Sequence, residues 1–217
     1  YFPLLGAVIG AIGAAIYLLA EQLWPTAIAI ALSMIATILL TGAFHEDGFA
    51  DSCDGFGGGW RREQVLATMK DSRIGTYAAI GLIAILALKF SALLAVAAPQ
   101  RIAAALIVAR AWSRLLAISY LCDMHYVRDE DSSKVKPMAT GIGRNHLVIA
   151  ALLVTPMLLM ITLRQTALIV IVLLLWRWAF ARYMRRRIGG YTGDSLGCAQ
   201  QVAEVAIYLV LCAQMNY

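Results

Sequence analysis

Residues 76–98 read TYAAIGLIAILALKFSALLAVAA, a run of 23 residues in which Lys89 is the single charge. A helix that crosses the hydrocarbon core needs about 20 predominantly apolar residues, so this stretch predicts a transmembrane helix. Reading outward from it finds six more stretches of the same kind, at 4–20, 25–44, 102–122, 147–163, 166–183 and 195–215. Tight connections at 21–25, 99–101 and 164–166 join some of them, and three longer polar stretches remain at 45–75, 123–146 and 184–194. The prediction is an all-α, polytopic membrane helix bundle of about seven transmembrane helices, forming one domain over 1–217.

Composition agrees. Of 217 residues, 61% are hydrophobic and 14% charged, where a soluble domain carries about 25% charged residues; mean hydropathy is +0.75. Net charge is +5, but its location says more than its sum. Cys53, Cys122, Cys198 and Cys212 are scattered with no C-x-x-C pair, which indicates neither a disulfide framework nor a zinc site. The chain begins at Tyr1, inside an apolar stretch, so a preceding segment is expected; no basic n-region with a cleavage site is visible, and no signal peptide is read.

Positive charge marks the cytoplasmic side. The long polar stretches carry Arg61, Arg62, Lys70 and Arg73, then Arg128, Lys134, Lys136 and Arg144, then Arg185, Arg186 and Arg187. The short connections carry only Arg101 and Arg164. The long stretches, and any site built from them, are expected to face the cytoplasm, with the N-terminus on that side and the C-terminus on the other.

The most informative polar segment is His45-Glu46-Asp47-Gly48-Phe49-Ala50-Asp51-Ser52-Cys53-Asp54-Gly55. Asp47, Asp51 and Asp54 sit at i, i+4 and i+7, within roughly a 60° arc of a helix that turns about 100° per residue. Three carboxylates on one face repel unless a cation lies between them. Mg²⁺ takes oxygen ligands and works through a few carboxylates plus substrate phosphates, so these three are the expected metal ligands. Glu46 points to another side and reads as a solvated neighbour. His45 is a candidate general base, against the blander reading of a structural histidine at a helix boundary.

Gly57-Gly58-Gly59 followed by Arg61 and Arg62 suits close approach to an anion. A short amphipathic helix is expected over 63–70, lying on the membrane surface with Val65, Leu66 and Met69 on one side. Lys70-Asp71-Ser72-Arg73 then enters the third span, offering two cations and a hydroxyl to a phosphate; a positive-inside anchor is the alternative. Arg110 and Arg114, one turn apart in the fourth span, are costly there and need a polar cavity or a partner. Lys89 and Arg177 read as structural partners or snorkelling anchors. In the last segment Asp194 is placed to cap a helix, and Asp194, Gln201 and Glu204 lie broadly on one face. Glu204, at membrane depth, requires a partner, for which Arg110 or Arg114 would serve. A second acidic group opposite Asp47, Asp51 and Asp54 would complete a site for one or two metal ions.

Together these segments resemble the cobalamin (5′-phosphate) synthase family. The family pattern H-x-D-G-x-A-D-x-x-D-G matches His45–Gly55, M-K/R-D-S-R-x-G matches Met69–Gly75, G-G-x-T-G-D-x-L-G matches Gly189–Gly197, and Phe2-Pro3-Leu4-Leu5-Gly6 looks like its first span. Glu46 and Cys198 stand where the family commonly has an apolar residue and alanine. The resemblance implies a transferase of the bacterial inner membrane. It would join adenosylcobinamide-GDP to α-ribazole or its 5′-phosphate, a ribose hydroxyl attacking the phosphorus nearer the corrinoid and GMP leaving. His45, Asp47 and Asp51 would be catalytic; Arg61, Lys70, Ser72, Arg73, Arg110, Arg114, Thr192, Asp194 and Glu204 would hold substrate or its phosphates; Asp47, Asp51 and Asp54 would hold Mg²⁺. The lipid bilayer, other membrane-associated corrinoid enzymes and a second copy of the chain are expected partners, and no nucleic acid is.

A CDP-alcohol phosphotransferase shares the chemistry but needs D-x-x-D-G-x-x-A-R, and Gly55 is followed here by Phe56-Gly57-Gly58-Gly59. A cation transporter would place its acids near the midplane, with repeats, whereas these acids cluster at one edge.

Overall fold

The computed structural model describes residues 1–128 and 141–213; Lys134 and Lys136 of the second polar stretch lie outside the described residues. Nine α-helices follow one another in these segments: α1 (Phe2–Ala20), α2 (Thr26–Leu40), α3 (Phe44–Gly58), α4 (Arg62–Thr68), α5 (Thr76–Val96), α6 (Pro99–Ser119), α7 (Arg144–Val154), α8 (Leu163–Arg187) and α9 (Gly193–Cys212). Short 3-10 turns occupy Tyr120–Cys122 and Thr155–Met160. No strand occurs among the described residues beyond a single bridge between Tyr126 and Tyr191.

The polytopic helix bundle is as expected, with fewer than seven full-length spans among the described residues. Five helices are long and apolar enough to cross a membrane, or six if α2 and α3 are taken as one broken span. The expected second span, 25–44, stops at Leu40, and its 15 residues reach only about 22 Å at 1.5 Å per residue. The chain then bends by 87° into α3. Gly42 (φ 62°) and Ala43 (φ 54°) are both left-handed there. That conformation is easy for glycine and costs alanine about 1–2 kcal/mol. The expected fifth span, 147–163, is α7 of 11 residues followed by the 3-10 turn carrying Pro156, whose ring cannot continue an α-helix. We read α3 as lying across the end of the bundle, outside the spans.

Helices α6 and α9 form the buried centre, with α1 and α2 packed on one side and α3, α5 and α8 around the rest. In the membrane, small residues let helices approach closely. A side chain at Gly10 of α1 would put its Cβ 2.6 Å from the Leu106 carbonyl oxygen of α6. The expected surface helix exists as α4, but it is not merely laid on a membrane: Val65 and the following Met69 are buried, and Met69 lies against Gly55 of α3.

Candidate active site

Glycines disfavour helices, yet α3 carries Gly48 and Gly55 within it. Packing against α9 explains Gly48. A Cβ there would lie 3.0 Å from Asp194 Cα, and one at Gly197 would lie 3.2 Å from the His45 carbonyl oxygen. The bare surfaces let α3 and α9 cross closely enough for Asp194 to join the acids of α3.

Along α3 the three aspartates sink progressively: Asp47 is exposed, Asp51 half-buried and Asp54 buried. Asp54 has both oxygens engaged, accepting from the Gly75 amide at 2.6 Å and the Ala78 amide at 2.9 Å. It thereby caps α5, whose own N-cap is a glycine with no side chain to do so. Asp51 is pushed up to about 7, first by burial and then by the negative charges of Asp194 and Asp47. Asp194 accepts a hydrogen bond from Arg128, and the same nitrogen of Arg128 donates to the Met69 carbonyl at 2.9 Å. The cap of α9 is Thr192 rather than Asp194: its hydroxyl accepts from the Ser195 amide at 3.1 Å while Ser195 accepts from the Thr192 amide at 2.9 Å. That leaves Asp194 available to the cluster. Among the described residues no three His, Cys, Asp or Glu side chains converge tightly enough to ligate one ion.

His45 is buried, with its ring edge-on to Phe2 and Phe44 at centroid distances of 6.1 and 5.4 Å. Burial, followed by the charge of Arg114, lowers it to about 3, so it stays neutral near pH 7 and is a weak proton acceptor.

A second charged group lies inside the bundle. Glu204 Oε1 is 3.3 Å from Lys89 Nζ and 3.7 Å from Arg110 Nη2, and accepts from the Tyr208 hydroxyl at 3.0 Å. Glu204 Oε2 accepts from Gln200 Nε2 at 2.9 Å. Lys89 also donates to Gln201 at 2.8 Å, and Gln201 donates to Glu46 at 2.9 Å. Glu46 is therefore a buried partner of α9, not a solvated neighbour. Arg110 donates to Thr37 at 2.6 Å; Arg114 donates to the Arg110 carbonyl at 3.1 Å and stands 5.9 Å from the Phe2 ring.

A model of the family described as cobalamin-5-phosphate synthase matches residues 1–212. The chain belongs to the cobalamin-5-phosphate synthase family. Among its relatives, the adenosylcobinamide-GDP ribazoletransferase of Ralstonia nicotianae (strain ATCC BAA-1114 / GMI1000) is 49% identical over 216 residues, covering 98% of this chain and 83% of that protein. The one from Shewanella frigidimarina (strain NCIMB 400) is 45% identical over 217 residues, with 98% and 82% covered, and the one from Shewanella pealeana (strain ATCC 700345 / ANG-SQ1) is 44% identical over 213 residues, with 97% and 82% covered. No solved structure matches.

The three segments that carry the synthase-family pattern meet in space. Asp54 ties His45–Gly55 to Met69–Gly75 through Gly75; Arg128 ties Met69 to Asp194 of Gly189–Gly197; and Gly48 abuts Asp194. The cations expected to act as one set do not meet in this way. Arg61, Lys70, Ser72 and Arg73 are exposed, Arg73 pairing with Asp71 at 2.6 Å, whereas Arg110 and Arg114 are buried among Glu204, Thr37 and backbone. Arg128, read from sequence only as a loop charge, proves to be the cation at the acidic cluster. Nothing local marks it, because its partner is 66 residues away. Lys89 did carry a signal: a lone lysine in an apolar span needs an anionic partner.

Proposed function

We infer that the chain is an adenosylcobinamide-GDP ribazoletransferase, catalysing the last joining step of cobalamin synthesis at the acidic end of the bundle. The family and the names of its relatives carry the identity of the reaction. The observation that carries the placement is the meeting of Asp47, Asp51 and Asp194 from two helices beside Arg128 and the Lys70–Arg73 segment.

Attack by a ribose hydroxyl of α-ribazole, or of its 5′-phosphate, on the phosphorus nearer the corrinoid forms one P–O bond. The bond from that phosphorus to GMP breaks, and the hydroxyl proton must be taken up. Such transfers depend on charge neutralisation and alignment more than on covalent participation by the protein. We assign the proton to a carboxylate of the cluster rather than to His45, whose neutrality down to about pH 3 makes it a poor acceptor. Lys70, Ser72, Arg73 and Arg61 are exposed where a diphosphate presented to the cluster would meet them. Arg110, Arg114 and Glu204 we place behind the site, holding α9 under α3.

The donors suit Mg²⁺. Asp47 and Asp51 offer hard oxygens one turn apart, with Asp194 opposite, and Asp51's proton affinity is raised first by burial and then by the negative charge of Asp194 and Asp47, which a cation would relieve. Three carboxylates that do not converge fit an ion that keeps water and takes substrate oxygens. Asp54, expected from its spacing as a third ligand, has its oxygens occupied at α5, and Asp194 takes its place in the proposed set. When bound, Mg²⁺ would neutralise diphosphate oxygens and the leaving GMP. We place the protein in the bacterial inner membrane with this end facing the cytoplasm, on the evidence of the Arg and Lys residues around it. Purified protein given both substrates and Mg²⁺ should release GMP and a cobamide, detected by mass spectrometry, and EDTA should stop it. Retained turnover in both Asp47→Ala and Asp51→Ala would sink the metal assignment.

A further inference from the structure

A cavity of about 170 Å³ opens at the same end of the bundle, walled by Phe2, Phe44 and His45 on one side and by Leu121, Ile142 and Leu196 on the other. Its size is close to that of an engineered apolar cavity of about 150 Å³ that binds benzene. A corrin ring or a whole nucleotide is far too large for it; one flat aromatic group is not. Three rings line it, two of them edge-on to the third, the arrangement that favours a further aromatic guest. Two polar side chains, His45 and Gln200, line it as well; the Gln200 nitrogen is tied to Ser113 at 3.1 Å and Glu204 at 2.9 Å, and its buried oxygen has no partner among the described residues. Gly193 also lines the cavity, and a Cβ there would meet nothing within 4 Å. The next residue is Asp194, so the cavity adjoins the acidic cluster.

We propose that this cavity is the subsite for the aromatic base of the ribazole substrate. The proposal rests on the ribazoletransferase reading above. With the base among Phe2, Phe44 and His45, the attached ribose emerges past Gly193 toward Asp194, which brings its hydroxyl to the carboxylates. The ring and methyl carbons of a dimethylbenzimidazole gain there from apolar burial.

Two variants test this. Gly193→Leu narrows the mouth from a position with open space around it, and Ala117→Leu fills the interior. Each should raise KM for α-ribazole at least tenfold while leaving KM for adenosylcobinamide-GDP unchanged. Calorimetry with free 5,6-dimethylbenzimidazole gives a readout that needs no turnover, and binding should weaken in both variants. If the unaltered protein turns over but neither variant moves KM for α-ribazole, the subsite is wrong, as it would be were a lipid chain the occupant, and the reaction stands. If the free base binds and both variants weaken it while no GMP is ever made, the reaction is wrong and the aromatic site stands.

Discussion

The acidic end of the bundle and the buried group around Glu204 are built from the same residue types and are opposite in balance. Around Glu204, one carboxylate receives two cations and two neutral donors, and its surroundings are closed. At the acidic end, among the described residues, one guanidinium, Arg128, pairs with Asp194 and acts on Asp51, and Asp47 is exposed. A charge buried without a partner is expensive and is tolerated only when paired, so the inner group is a device for fixing α5, α6 and α9. Among the described residues the outer one leaves negative charge unmet, which suits a site that recruits a cation and a diphosphate. The two are joined mechanically: Lys89 reaches Gln201, and Gln201 reaches Glu46, one residue before Asp47.

The comparison breaks most plainly at Asp51. Replacing it with asparagine should lower kcat about 10³-fold or more, the scale of losing charge stabilisation of a transferring phosphoryl, here through the cation that Asp51 would hold, with the detergent-solubilised protein eluting and melting as before. Glu204→Gln should do the reverse. It strands Lys89 and Arg110, and removing one member of a buried pair costs about 3–5 kcal/mol; thermal unfolding in detergent would register the loss, and refolded molecules would retain activity. If Glu204→Gln is stable and inactive, the division between holding and reacting groups fails.

A pH series sharpens it. Asp51 titrates near 7, raised above its ordinary value. In the metal-free fold it therefore gains charge as pH rises through about 7, and stability contributed by its neutral form is lost over the range from about 4 to about 7. Mg²⁺ binds the ionised form, so Mg²⁺ affinity should rise with pH up to about 7, by as much as about tenfold per unit for one released proton, and level off above. Asp194→Asn removes one of the repelling charges and should move this profile to lower pH. A flat profile in isothermal titration would remove Asp51 from the metal set.

A smaller effect separates Asp54 from its neighbours. Asn retains one good acceptor for the Gly75 and Ala78 amides, so Asp54→Asn should cost about 0.5–2 kcal/mol, the scale of a helix cap, and leave Mn²⁺ affinity measured by electron paramagnetic resonance close to that of the unaltered protein. A loss of Mn²⁺ binding equal to that of Asp47→Asn would return Asp54 to the ligands. At the far end of the scale, Asp71→Asn frees the exposed Arg73 and should leave melting unchanged.

Much of this was readable beforehand because it is local. Asp47, Asp51 and Asp54 fall on one helix face by spacing alone, and a carboxylate at the depth of Glu204 demands a cation, which Arg110 supplies. What could not be read is long-range. Asp54 caps a helix that begins more than 20 residues later, and no periodicity distinguishes a capping aspartate from a ligand on the same face. Asp194 meets α3 only because Gly48 and Gly197 are bare where the helices cross, and Arg128 finds it across 66 residues. The break after α2 is hidden for a different reason. Hydropathy continues through Gly42 and Ala43 while the backbone turns, so an apolar run of the right length was read as one straight crossing.

The most direct test of the central claim is a single assay of GMP release, with the cobamide product identified by mass spectrometry, comparing unaltered protein and Asp51→Asn with both substrates, with and without Mg²⁺. Mg²⁺-dependent product from the former and its loss from an equally folded variant is the predicted result. Undiminished product from Asp51→Asn, or product that persists in EDTA, would contradict the assignment of the acidic end as the place where the bond is made.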